Sequence, residues 1–207
     1  MSAEAQFWIT CFTTLFFIVN PFAAVPLFLS LTAKHGPAKR IRIARHASLW
    51  CGAILLVFAA AGSWILGLYG ISLPALRTGG GIILLLVALD MVRARRSTQE
   101  TPEEMKSAAT RDEISLTPLA MPILSGPGAI STVIVLMGSA HGAGQVAAVL
   151  VSVALVALLT YVILRLAEPL YRVMGDSGNR ALMRLMGLLL AALAAQFILD
   201  GLKGWSG

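Results

Sequence analysis

Charge is scarce in this chain. Charged residues make up 13% of its 207 positions against 57% hydrophobic ones, and the mean hydropathy is +0.82. That is too little charge to cover a water-exposed surface, where polar and apolar atoms normally mix. No charged side chain occurs between Glu4 and Lys34, and between Ile114 and Leu164 the only acidic or basic one is His141. A helix needs about 20 apolar residues to cross a bilayer core, so the second stretch holds two spans and a turn. An ordinary soluble domain is excluded.

Other absences narrow the function. No Asp or Glu falls near the middle of any apolar run, which argues against a proton relay built on a mid-membrane carboxylate. No Gly-Lys-Ser/Thr phosphate loop is present, so ATP does not drive this chain directly. His-Glu-x-x-His and Gly-x-Ser-x-Gly are missing, and no nucleophile–base set is recognisable, so an enzyme is not expected. Cys11 and Cys51 lie in apolar runs without ligand-spaced neighbours; no metal and no cofactor are expected. The N-terminus lacks the basic region of a cleavable signal, and the first span is expected to stay.

What is present reads as an all-α membrane protein of six transmembrane helices, near Ala5–Ala33, Ala47–Leu68, Ile71–Val92, Ser115–Gly138, Gly144–Leu166 and Ala181–Leu202. Of the 16 basic residues, all but Arg77 and Lys203 fall in three segments: Lys34 to Arg45, Arg93 to Arg111, and Arg165 to Arg184. The positive-inside rule then makes these segments cytoplasmic, with both termini facing outward. The net charge of +6 thus reports orientation in a lipid bilayer, and no nucleic-acid partner is expected.

The polar stretch around residues 93–114 divides the chain into a first three-helix unit, 1–92, and a second, 115–207. It reads as a cytoplasmic linker, with a short helix starting at Thr101-Pro102-Glu103-Glu104. The units look related. Pro21 and Pro26 correspond to Pro122 and Pro127 at a shift of 101, and Arg77-Thr78-Gly79-Gly80 resembles Arg184-Leu185-Met186-Gly187 at a shift of 107. Because each unit has an odd number of spans, the second inserts upside down, giving two inverted repeats.

Each Pro-x4-Pro predicts a broken helix, because proline removes a backbone donor and clashes with the preceding turn. Irregular backbone at membrane depth survives only against protein or a watery cavity. Spans one and four are expected to unwind by about a turn and to restart just after Pro26 and Pro127. The restarted helices would present free amides and a positive dipole end, suited to a carboxylate. The preceding segments would end in free carbonyls near Val19 and Met121, suited to an ammonium group. Asn20, Pro21, Pro26, Ser125, Gly126, Pro127 and Gly128 are the candidate substrate-binding residues. Gly79, Gly80 and Gly81 are expected to let another helix pack closely. Gln196 is expected either to line the pathway or to bond to another helix. The histidines read as surface residues, and Arg77, Asp90, Arg184 and Asp200 as snorkelling groups at the interfaces.

Val19-Asn20-Pro21-Phe22-Ala23-Ala24-Val25-Pro26-Leu27-Phe28-Leu29-Ser30-Leu31-Thr32 resembles the first-span motif of the MarC family of bacterial and archaeal inner-membrane proteins. Gly79-Gly80-Gly81-Ile82-Ile83-Leu84 with Ala88-Leu89-Asp90-Met91, and Pro118-Leu119-Ala120-Met121-Pro122 with Ser125-Gly126-Pro127-Gly128-Ala129-Ile130, are similar to its other two signatures. The resemblance extends over the chain in length and topology. It implies the class that includes SnatA-type transporters of small neutral amino acids such as glycine and alanine, with export or exchange as the activity of some members. It does not imply drug efflux. Ala23 departs from the glycine frequent in the family's first motif, and its methyl group is expected either to narrow the site or to shift the break slightly. A membrane scaffold or regulator, with the prolines serving packing alone, is the rival reading.

Overall fold

The computed structural model describes residues 3–93 and 124–205. The linker and the Pro118 and Pro122 end of span four lie outside the described residues. Within them the chain is helical throughout, without strands: α1 Ala3–Val19, α2 Pro21–Leu31, α3 Pro37–Tyr69, α4 Leu73–Val92, α5 Pro127–Gly138, α6 Ala143–Arg165 and α7 Ala167–Trp205. Five stretches are long and apolar enough to cross a membrane: Glu4–Leu31 (α1 with α2), Pro37–Tyr69, Leu73–Val92, Ala143–Arg165 and Ser177–Trp205. α5 is apolar but shorter.

Local chemistry explains most boundaries. Pro37 opens α3 at a position where no amide hydrogen is needed. Gly70, at φ 64°, closes the helix in the left-handed region while its own N–H and that of Ile71 reach back to carbonyls of the last turn. Ser72 then caps α4 by accepting from the Ala75 amide at 3.3 Å. Because α3 begins at Pro37, the segment carrying Lys39, Arg40, Arg42 and Arg45 is helical, and the second span starts a good ten residues earlier than its apolar run suggests. The basic stretch from Arg165 to Arg184 is helical too: α6 ends at Arg165, α7 begins at Ala167, and Gly175 (φ 60°) kinks α7 before its apolar part.

The main packing pairs join a helix from before residue 93 with one from after residue 124. α4 lies along α7, α3 along α6, α1 against α6, α5 against α3 and α4, and α2 against α6 and α7. Neither set of helices buries its apolar faces alone. Leu15, Val19, Val25, Phe28 and Leu55 share one core with Leu124, Val133, Val149, Leu164 and Leu190. Small residues set the closest approaches. A methyl at Gly81 would lie 2.9 Å from the Ala194 carbonyl and 3.1 Å from the Ile198 nitrogen, and one at Gly52 would meet the Ala157 methyl. Gly80 lies against Ser131 on α5, whereas Gly79 faces open space. Two of the three consecutive glycines therefore admit close neighbours, each a different helix.

Candidate functional site

The interruption in span one is a single residue. α1 ends at Val19, Asn20 adopts φ 47°, ψ 62°, and α2 begins at Pro21. Asn20 is the only non-glycine with positive φ among the described residues. Asparagine suits the place because its short polar side chain tolerates the left-handed region and caps a helix. Its Oδ1 accepts from the Ala23 amide at 3.4 Å, and its Nδ2 donates to the Met91 sulfur at 3.4 Å.

This corrects the expectation that a turn unwinds between Pro21 and Pro26 and that the helix restarts after Pro26. Pro21 is the first helical residue, where a missing N–H costs nothing, and Pro26 lies inside α2. Keeping Pro26 helical forfeits the one donor to the Phe22 carbonyl and crowds that carbonyl against the proline ring. Unwinding a whole turn would free several backbone groups in a medium that cannot solvate them. In the fourth expected span the helix restarts at Pro127, close to the expectation, while the Pro122 side of the expected break lies outside the described residues. Leu124 and Ser125 precede the cap residue Gly126, and α5 starts at Pro127. Consequently α2 and α5 both open on proline, at positions 21 and 127, and α3 and α6 open at 37 and 143, the same offset of 106 residues. The element starts thus pair Pro21 with Pro127, where sequence comparison pairs it with Pro122.

The candidate residues are not equally enclosed. Asn20, Pro21, Ser125 and Gly128 are buried, Pro26 and Gly126 are half-buried, and Pro127 is exposed. Pro26 stands about 7 Å along α2 from the interruption at the helical rise per residue, and so is set apart from Asn20 and Pro21. The Gly128 carbonyl is occupied by the hydroxyls of Ser131 (3.0 Å) and Thr132 (2.8 Å). Those two serve the backbone of α5.

A stripe on α4 links the two interruptions. Gly80, Leu84, Ala88 and Met91 are its buried residues, spaced three and four apart along one face. Leu84 packs against Gly128 in the first turn of α5, and Met91 accepts from Asn20. The two helix starts therefore contact α4 at residues seven apart, about 10 Å or two turns along its axis, and Ala88 lies between those two contact residues. The far ends of the half-helices lie in opposite directions. α5 runs back along α4 to Ser139, whose hydroxyl accepts from the Arg77 guanidinium at 2.8 Å. α2 runs the other way, to Thr32, whose carbonyl accepts from Arg40 Nε at 3.1 Å, while the same guanidinium bonds Glu168 at the start of α7. Arg40 stands near the start of α3, whose other end, Tyr69, turns within three residues into the Leu73 end of α4, so Arg40 lies toward the Met91 end. The positive ends of α2 and α5 thus point toward one another across Ala88.

Sequence reasoning did not single out Leu84, Ala88 and Met91 as neighbours of the interruptions. Their three-and-four spacing was readable, but which helix faces the breaks was not. Gln196 is exposed and donates to Asp200 on its own helix at 2.8 Å, so its bond is not interhelical. Arg77 has a defined partner in Ser139. Cys11 and Cys51 are buried free thiols.

Apolar helices, lipid-length spans and polar groups gathered at helix interruptions define an integral membrane protein. The comparisons with known proteins agree. The model of the MarC family integral membrane proteins matches residues 5–206, and the chain belongs to that family. It is 41% identical over 201 residues to a UPF0056 membrane protein of Methanocaldococcus jannaschii, covering 97% of this chain and 98% of the relative. It is 37% identical over 194 residues to the UPF0056 membrane protein YhcE of Escherichia coli (93% and 90% covered) and 36% identical over 201 residues to YvbG of Bacillus subtilis (96% and 95%). No solved structure matches.

Proposed function

We propose that the chain is a secondary transporter, exporter or exchanger, of small neutral amino acids such as glycine and alanine, working by alternating access between two inverted three-helix repeats. The observation that carries this reading is the pair of half-helices whose amino ends point at each other along one stripe of α4. Either positive helix end suits a carboxylate, and the carbonyls closing α1 near Val19 suit an ammonium group. A zwitterion is satisfied there by neutral dipoles, without a fixed charge. Asn20, Pro21, Ser125, Gly126, Pro127 and Gly128 would form the binding region, with Pro26 shaping α2 behind it.

The common offset of the α2/α5 and α3/α6 starts, and packing pairs that recur when the two sets of helices are exchanged, support the inverted-repeat reading. Half-helix sites between such repeats recur among secondary transporters. The distribution of basic residues supports an inner-membrane orientation with both termini outside. The test is a thermal-shift panel on the purified protein. Glycine, alanine and serine should raise the unfolding temperature in proportion to the logarithm of concentration, and lysine and glutamate should not. Stability indifferent to every amino acid would favour a scaffold.

A further inference from the structure

Resting on that transport reading, we propose that Met91 is the residue that sets the upper size of the substrate, and that its thioether holds the Asn20 amide in the substrate's place while the site is empty. The Asn20 amide is a strong two-hydrogen donor, buried and fixed by the capping bond to Ala23. Its partner is a thioether sulfur at 3.4 Å, among the weakest acceptors a protein offers. A carboxylate oxygen makes a far stronger bond to the same donor. The empty-state pairing is therefore one that a substrate carboxylate displaces readily.

The surroundings of Met91 divide the side chain into a fixed stem and a movable tip. On the α7 side, a methyl at Gly187 would lie 2.9 Å from the Met91 Cβ and 3.0 Å from the Val92 nitrogen, so backbone and stem are held closely there. Beyond the stem, methionine has an unbranched, freely rotating end that changes shape at low cost. Met91 is 7% exposed, and its buried neighbours on the stripe are Ala88 and Leu84. Between the two helix starts the wall is thus a bare methyl at position 88, flanked by the thioether at the Asn20 end. The atoms beyond Cβ of Met91 occupy about the volume of a branched aliphatic side chain, and that volume is withheld from the substrate.

The test measures uptake of radiolabelled alanine and leucine by proteoliposomes carrying wild type, Met91→Ala or Met91→Leu, with folding checked by gel filtration. Met91→Ala should admit leucine and lower the alanine-to-leucine preference by about tenfold or more, the scale on which pocket-filling methylenes discriminate. Met91→Leu keeps the bulk and removes the acceptor, so it should retain the preference while lowering the KM for alanine several-fold. A wild type that carries alanine, with the preference unchanged in Met91→Ala or the KM unchanged or raised in Met91→Leu, would overturn the role of Met91 and leave the transport reading standing. A wild type that carries neither amino acid would overturn both. If Met91→Ala does not fold, Met91→Val, which removes the thioether and keeps less bulk, gives the same preference test.

Discussion

Arg40 Nη1 and Glu168 Oε2 lie 3.0 Å apart, joining the first turn of α3 to the first turn of α7 across 128 residues of sequence. The same guanidinium bonds the Thr32 carbonyl at the end of α2, and Arg172 reaches Glu168 from one turn further along α7 at 3.3 Å. One carboxylate therefore fastens the region where α2 ends and α3 begins to the start of α7. Under alternating access this fastening must open whenever the proposed cytoplasmic face opens.

Glu168→Gln should shift the protein toward that open state. The pair is partly solvated, with side chains 25% and 58% exposed, so its contribution is about 0.2–1 kcal/mol, at most a roughly fivefold change in population. A cysteine at buried Ala24, in a background lacking Cys11 and Cys51, should react correspondingly faster with a membrane-impermeant maleimide. Raising salt should accelerate labelling in wild type and have no further effect in Glu168→Gln. Equal rates at all salt concentrations would remove the fastening from the mechanism.

Asn20→Gly should separate the ligand role of Asn20 from its backbone role. Glycine accepts φ 47° without strain and is a tolerable cap, so stability should fall by only about 1 kcal/mol or less. Asn20→Ala adds a left-handed penalty of roughly 1–2 kcal/mol and should melt lower. Both should lose the thermal response to alanine. A retained response in either would move the site away from Asn20.

The three consecutive glycines of α4 should respond unequally to alanine. At Gly81 the new methyl meets backbone atoms of α7, which cannot move aside individually, and overpacking of this kind costs about 1–3 kcal/mol. At Gly79 there is nothing within 4 Å, and the substitution should be neutral or slightly stabilising. Thermal unfolding of the two variants in the same detergent checks the order.

Orientation has its own test. In a background lacking Cys11 and Cys51, a cysteine at position 142 should label from outside intact cells, and one at position 172 only after permeabilisation. The reverse pattern would invert the assignment made from the basic residues.

Much of this architecture was legible because the bilayer leaves few choices. Apolar runs marked the five stretches long enough to cross a membrane, and Pro127 marked a helix restart, whereas the restart at Pro21 was expected only after Pro26. Boundaries in polar segments were less legible: α3 extends through Lys39 to Arg45 because Pro37 and Gly36 start a helix whatever its polarity. Pro26 misled, since proline chemistry disfavours a helix interior but does not say whether unwinding would cost more. The pairing of Asn20 with Met91, and of Arg40 with Glu168, depends on which helices meet. No local pattern in either segment carries that information.

The most direct test of the central claim is flux of radiolabelled glycine and alanine into proteoliposomes, under sodium gradient, proton gradient and exchange conditions. Wild type should carry both amino acids above empty liposomes in at least one condition, should not carry lysine or glutamate, and should lose the activity in Asn20→Gly and Gly126→Leu while both remain folded. No flux above empty liposomes in any of the three conditions would contradict the account.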